Sequence, residues 1–195
     1  MEPHGTIIEL VNLLAFVANF TVPMYHWFDV VEVVMMTVQE MLSDPVAQEM
    51  LTSTEPARFA YTWTDGSPRV IPIWFHWTGS EVVLASPVDS PKFKALSTGS
   101  PVALTIDSST WPHHVLLIRG TATIEPTDGI VPEYATAAER YFGPEQGRAW
   151  VDQLRRAGAK TARIGITPVE VRIIDFETRF PSAVMSLLSS GSPQT

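Results

Sequence analysis

The spacing of apolar residues changes along the chain and separates helices from strands. Phe59, Tyr61 and Trp63 alternate with polar or small residues, which predicts a strand with these three side chains on one face. Before them, Ser43-Asp44-Pro45 is typical of a helix start, because a capping side chain precedes a proline that lacks an N–H. We therefore predict a helix to about Leu51, followed by the first strand.

Further runs predict a sheet of sequential strands with helices between them. The predicted strands are Arg69–Trp77, Glu81–Ser86, Val102–Asp107, Val115–Ile124 and Ala162–Ile174, and the predicted helices are Ser90–Leu96, Pro132–Phe142 and Pro144–Arg156. Pro72 cannot donate to a ladder, so its strand is expected at an edge or a bulge, where a sheet bends. The order of elements predicts a mainly β protein with flanking helices, folded as an antiparallel barrel.

The first 35 residues are predicted to be an extension of a domain that covers residues 36–189. Leu10–Phe28 carries no charge and is almost long enough to span a bilayer, but neither flank has the Lys or Arg of a membrane helix or signal peptide. Three interpretations stay open: translation from a mis-set start codon, an additional helix, or a membrane-associating segment. We expect a cytoplasmic protein without a membrane span, and a disordered tail at residues 190–195.

Composition and charge exclude several classes of chemistry. The 195 residues include no cysteine, which excludes disulfides, thiolate metal sites and thiol nucleophiles. Of the 21 acidic residues, 8 precede the first basic residue, Arg58, so 13 acidic residues remain against 13 Lys and Arg. A neutral body behind an acidic front offers no basic stripe for a polyanion, and we expect no nucleic-acid partner.

The turn after the predicted strand Glu81–Ser86 is the strongest candidate site. The hydroxyls of Ser86 and Ser90 and the ammonium of Lys92 meet the start of a short helix, where free N–H groups would favour a phosphate. The alternative is an ordinary Ser-Pro helix cap beside a solvated lysine. The spacing alone leaves both open.

Two other features of the sequence do not indicate a metal site or a catalytic nucleophile. His113 and His114 are adjacent on an extended segment, so their side chains point to opposite faces, and no carboxylate or third histidine is evident beside them. We therefore expect no metal site. Ser108-Ser109-Thr110 lacks a nucleophile elbow, and the glycines form no dinucleotide or phosphate-binding fingerprint.

An ordered series of short motifs resembles one family. The segment Thr64–Pro72 reads T-D-G-S-P-R-V-I-P and precedes a strand, a serine and then a lysine at the next helix. This series resembles the pyridoxamine 5'-phosphate oxidase-like family of FMN-binding split barrels, and the likeness continues through Ser100–Asp107 and Leu117–Ala122. It covers roughly Ser43 to Ala183, and it implies a split antiparallel β-barrel.

The resemblance also implies a set of cofactor-binding residues. Arg69 and Lys92 would contact the phosphate of a flavin, and Ser86 would hydrogen-bond it, with Ser90 at the same turn. Lys94 is a weaker second choice of lysine. The residues that would place backbone near the ring and the ribityl chain are Val70, Ile71 and Ala85. No catalytic residue is implied.

Two departures from the family pattern bear on the substrate. The second basic residue that the oxidase proper carries on this strand is absent from Arg69–Trp74, and Asp175–Pro181 lacks the Arg and His signature that holds pyridoxal phosphate. We therefore do not expect vitamin B6 oxidation. Trp74-Phe75 resembles the branches that bind either FMN or a deazaflavin.

The resemblance implies an oxidoreductase that transfers hydride between bound FMN, or the deazaflavin coenzyme F420, and an unidentified small organic substrate. It also implies a homodimer with each flavin between the subunits. The alternative is a flavin-binding or sensing module without turnover. Trp111-Pro112 predicts a loop over the sheet, in which the indole either covers a flavin ring or serves as a buried anchor.

Overall fold

A computed structural model describes residues 37–190 of the protein. The expectations for residues 1–35, and for the tail beyond residue 190, lie outside this part of the chain. Within it, no helix combines the length and the apolarity that crossing a bilayer would need. The helices are α1 (Val38–Ser43), α2 (Pro45–Thr52), α3 (Pro132–Phe142), α4 (Pro144–Arg156) and α5 (Ser182–Ser190), with a 3₁₀ helix at Pro91–Lys94.

Seven strands form one antiparallel sheet in the order β2-β1-β5-β6-β7-β4-β3. They are β1 (Ala57–Thr62), β2 (Pro68–Ile73), β3 (Phe75–Trp77), β4 (Val82–Pro87), β5 (Pro101–Asp107), β6 (Val115–Pro126) and β7 (Thr161–Ile174). The predicted order of elements and the mainly β fold with flanking helices are confirmed. Two details differ: the predicted strand Arg69–Trp77 is divided at Trp74, and α5 was not predicted.

The sheet curls because its two edges are consecutive segments of chain. Trp74 alone separates β2, which pairs with β1, from β3, which pairs with β4. The two edges of the sheet therefore meet at this residue, and the sheet becomes a split antiparallel barrel. The edge position predicted for the strand that contains Pro72 is confirmed.

Alternate side chains of the strands fill the barrel. Val102, Leu104 and Ile106 of β5 are buried and belong to the core, whereas the residues between them are half-buried on the outer face. Helix α2 contributes Met50 and Leu51 to the same core. Because a strand has a period of two, this alternation determines which residues of β2 and β4 face inward at the site.

A buried carboxylate ties the segment after β7 to the start of α2. Asp175 is 4% exposed and accepts hydrogen bonds from the backbone N–H groups of Glu177, Thr178 and Arg179. Arg179 bonds to Asp175 and, through Nη1, to Oδ2 of Asp44 at 2.6 Å. Asp44 in turn caps α2 by accepting from the N–H of Val46. The charges of this network are therefore paired within the fold.

Candidate functional site

On the β2 side of Trp74, the barrel opens between β2 and the end of β4. The pairing of β3 with β4 includes Phe75 with Leu84, and continuing it by two residues would bring Ser86 level with Ile73. From there, however, β2 pairs only with β1 and β4 only with β7. We call this opening the β2/β4 split. It leaves the outer edge of β2 without a strand partner.

The residues predicted to bind a phosphate at the turn after β4 lie on the β4 side of the split. Ser86 ends the inward-facing row of β4 and is 6% exposed. The Lys92 ammonium donates to Oγ of Ser86 at 2.6 Å and to Oγ of Ser90 at 2.7 Å. Among residues 37–190, no carboxylate forms an ion pair with Lys92. The three predicted residues are thus brought together around one unneutralised cation.

This geometry bears on the two interpretations that the sequence left open. The Ser90 side chain makes no capping hydrogen bond, and the helix is a single 3₁₀ turn, which provides only a small dipole. Lys92 is half-buried, and burial lowers the pKa of its ammonium. An ordinary Ser-Pro cap with a solvated lysine therefore does not describe the turn, and the expected helix N-terminus contributes less than the side chains.

Arg69 lies on the other side of the split, near the start of β2. Ile71 and Ile73 pack against the core, so alternation places Arg69 on the same inward side of the strand. Its guanidinium donates to the carbonyl of Pro68 at 3.3 Å and lies 5.7 Å from the ring of Trp63. No contact within residues 37–190 joins it to Lys92. Its role in phosphate binding stays a prediction.

The residues predicted to offer backbone lie along the same opening. Val70 is 62% exposed, and Ile71 follows it on β2, whose free edge faces the split. Ala85 lies at the end of β4, next to Ser86, and pairs with Arg163 of β7. Lys94 is exposed at the end of the 3₁₀ helix, and no hydrogen bond within the described residues joins it to the Lys92 group. Contact of Val70, Ile71 and Ala85 with a flavin stays a prediction.

Two expectations about the loop between β5 and β6 are wrong. Trp111 is 71% exposed, so it is not a buried anchor. It precedes Val115 at the start of β6, whereas Ser86 lies beside the far end of that strand, so Trp111 does not cover the split of its own chain. A carboxylate does accompany the histidines, because Nδ1 of His114 lies 2.7 Å from Oε2 of Glu49. The described residues nevertheless hold no group of three or more metal-binding side chains.

Sequence reasoning missed an aromatic cluster beside the split. The indole of Trp74 stacks on Tyr141, with ring centroids 4.9 Å apart, and meets the edge of Phe142 at 4.7 Å. A groove of about 570 Å³ opens beside it. We call this groove the aromatic groove; it is lined by Pro56, Pro72, Ile73, Trp74, Tyr134, Phe142 and Trp150. The spacing of these residues carries no signal, because they meet only when α3 and α4 pack near the corner at Trp74.

The fold and the site define a split-barrel protein with a half-buried lysine and two serines at the opening of the barrel. The family model for pyridoxamine 5'-phosphate oxidase matches residues 43–175. The chain therefore belongs to this family, as the resemblance implied. A search of the curated proteins finds no match to the chain.

Solved structures show the same fold at low sequence identity. An F420 reductase is 21% identical with a TM-score of 0.50, over 64% of this chain and 94% of that one. A conserved hypothetical protein from Mycobacterium tuberculosis is 20% identical with a TM-score of 0.52, over 83% of this chain and 91% of that one. At this level of identity, the likeness establishes the split-barrel fold alone.

Proposed function

We propose that the protein binds a phosphorylated flavin, FMN or the deazaflavin F420, in the β2/β4 split and acts as an oxidoreductase on a small organic substrate. The observation that supports this most strongly is the Lys92 ammonium, which is half-buried, bonded to two hydroxyls and unpaired with any carboxylate of residues 37–190. Membership of a family whose oxidases use FMN, and the fold shared with an F420 reductase, are consistent with it.

The residues present fit a phosphate. A half-buried ammonium without a counter-ion is costly, and an anion would relieve that cost. The Ser86 and Ser90 hydroxyls accept from Lys92, so their own hydrogens remain available to donate to phosphate oxygens. Arg69, on the facing strand, would supply a second cation with bidentate geometry.

The chain itself would bind and orient the cofactor rather than supply acid or base chemistry. When bound, the isoalloxazine or deazaflavin ring supplies the hydride chemistry. The free edge of β2 presents the backbone N–H and C=O groups of alternate residues in the region of Val70 and Ile71, which suits the polar edge of such a ring. Lys92 would hold the phosphate, which would set the position of the ring along the split.

We further propose that the protein acts as a homodimer. The outer face of β1, β5 and β6 carries two shallow grooves of about 280 and 290 Å³, and both are lined by Ala103 and Arg119. The small side chain of Ala103 lies opposite Arg119 on the neighbouring strand, and Arg119 forms an ion pair with Glu170. A shallow patch of this kind suits a two-fold interface in which the same surface meets itself. All the residues that line the two grooves belong to strands, and none belongs to a described helix.

A redox titration separates the enzyme from a flavin-binding or sensing module. The protein loaded with FMN or F420 is reduced anaerobically, and its absorbance is followed after an electron acceptor is added. Bleaching followed by recovery over many cycles supports the oxidoreductase. Binding without repeated turnover of any acceptor supports the module instead, and absence of binding contradicts both.

A further inference from the structure

The aromatic groove has rigid walls. Arg140 holds the corner by donating from Nη2 to the carbonyl of Phe75 at 2.5 Å, and its guanidinium lies over the rings of Phe75 and Tyr141. The Tyr141 hydroxyl donates to the carbonyl of Glu55 at 3.0 Å, and its ring supports the indole of Trp74. The groove is therefore formed before any ligand arrives, which lowers the entropic cost of binding.

The lining selects the charge and shape of an occupant. All seven residues that line the groove are uncharged, and four of them are aromatic. A charged compound would lose hydration there without gaining a counter-ion, whereas a flat apolar ring would gain stacking and edge contacts. The volume of about 570 Å³ matches that of sites for small molecules rather than macromolecules.

One polar group in the lining selects a further property. The indole Nε1 of Trp150 donates to the hydroxyl of Tyr134 at 3.0 Å, which fixes the hydroxyl oxygen as an acceptor. The hydroxyl hydrogen has no acceptor within residues 37–190, so it is available to a ligand. A carbonyl or ring nitrogen on the occupant would satisfy it.

We propose that the aromatic groove is a binding site for a planar, uncharged aromatic compound that carries a hydrogen-bond acceptor. The groove borders the β2/β4 split, because its lining includes Pro72, Ile73 and Trp74, where the chain passes from β2 to β3 and the pairing with β4 begins. Its use as the substrate site of the oxidoreductase rests on the proposed function. The binding itself does not.

Equilibrium dialysis of the full chain with three naphthalenes of similar size tests the proposal. The probes are 2-acetonaphthone, which is uncharged and has a carbonyl, 2-naphthoate, which is an anion, and 2-ethylnaphthalene, which has no acceptor. We expect one saturable site for 2-acetonaphthone and binding of 2-naphthoate weaker by about tenfold or more. We expect the acceptor to improve binding over 2-ethylnaphthalene by about fivefold.

Three variants locate the site. Phe142 is 44% exposed, so Phe142→Ala leaves the core intact and should weaken 2-acetonaphthone binding by about fivefold. Tyr134→Phe keeps the ring and should remove the preference for 2-acetonaphthone over 2-ethylnaphthalene. Trp111→Ala removes an exposed tryptophan outside the groove and should change nothing.

Several results would overturn the proposal. These are no saturable binding, stronger binding of the anion, or equal losses in Phe142→Ala and Trp111→Ala. A Phe142→Ala variant that binds 2-acetonaphthone normally but changes the oligomeric mass would instead make the groove a contact between copies. If the wild-type protein binds 2-acetonaphthone but neither FMN nor F420, the result would contradict only the proposed function.

Discussion

The Nζ atom of Lys92 and Oγ of Ser86 lie 2.6 Å apart at the opening of the barrel, across a six-residue separation in sequence. The serine is buried and the lysine is half-buried, and no carboxylate of the described chain neutralises the ammonium. A fold that only needed a stable turn would gain nothing from a cation placed there. The pair is therefore the observation on which the cofactor proposal depends.

Removing the Lys92 charge should weaken cofactor binding. We expect Lys92→Ala to lower the affinity for FMN by about 1.5–3 kcal/mol, as for loss of a charge-assisted hydrogen bond. Flavin fluorescence titration measures the change. Lys94→Ala is the matched control, because Lys94 is exposed on the same 3₁₀ helix and should leave the affinity unaltered. Equal effects of the two substitutions would mean that Lys92 contributes only to the general surface charge.

The same lysine should destabilise the protein when no cofactor is present. Burial lowers the pKa of Lys92, so the charged form is less favourable in the folded state than in the unfolded state. This cost is complete below the folded-state pKa and disappears as the pH rises from there to the unfolded value. At neutral pH, Lys92→Met should raise the melting temperature of the apoprotein by about 2 °C, a small shift because solvent screens a half-buried charge. A lower melting temperature would show that Lys92 stabilises the turn.

The ion network at Asp175 should limit stability in acid. Burial acts to raise the pKa of Asp175, but hydrogen bonds from Thr178 and Arg179 outweigh it and hold the pKa far below its usual range. The carboxylate therefore contributes stability above about pH 4, and this stability is lost as the pH falls toward the lowered folded-state pKa.

Substitution of this carboxylate gives the measurement. Asp175→Asn should cost about 3 kcal/mol in urea unfolding at pH 7, because the Arg179 side chain and the backbone N–H groups of Glu177, Thr178 and Arg179 lose a charged acceptor. Asp128→Asn is the control, since Asp128 forms an exposed pair with Lys160 and should leave the free energy of unfolding unchanged. Equal urea midpoints for the two variants would contradict this account of the network.

The outer face of β1, β5 and β6 gives a prediction about assembly. Ala103 lines both grooves of this face and lies opposite Arg119, so a lysine there would add a second positive charge and bring like charges together at a two-fold contact. We expect the wild-type protein to have the mass of a dimer and Ala103→Lys that of a monomer in size-exclusion chromatography with light scattering, while far-ultraviolet circular dichroism stays unchanged. A wild-type protein that is monomeric at micromolar concentration would contradict the dimer proposal directly.

The sequence predicted most of the fold because its local signals agree with one another. Alternation in β5 and prolines at the first positions of α3 and α4 mark those elements almost to the residue. Pro72 signals an edge or a bulge but not a division at Trp74, since the residues on both sides of Trp74, Ile73 and Phe75, are apolar and β-forming. At Trp74 the pairing partner of the chain changes from β1 to β4, and this change depends on how the sheet closes.

The candidate site likewise has a part that the sequence predicted and a part that it did not. Ser86, Ser90 and Lys92 lie within seven consecutive residues, so a motif could indicate their meeting before the fold was known. The aromatic groove combines residues as far apart as Pro56 and Trp150, and the Glu49 partner of His114 comes from a different element. Tertiary packing alone creates such contacts, and a single sequence does not report them.

Comparison of FMN with riboflavin tests the central claim most directly, because the two differ only by the phosphate that Lys92 is proposed to hold. Isothermal titration of the purified protein with FMN, F420 and riboflavin should show micromolar or tighter binding of at least one phosphorylated cofactor. Riboflavin should bind about 100-fold more weakly than FMN wherever FMN binds, which corresponds to one or two charge-assisted contacts. Equal affinities for FMN and riboflavin, or no binding of either phosphorylated cofactor, would contradict the account.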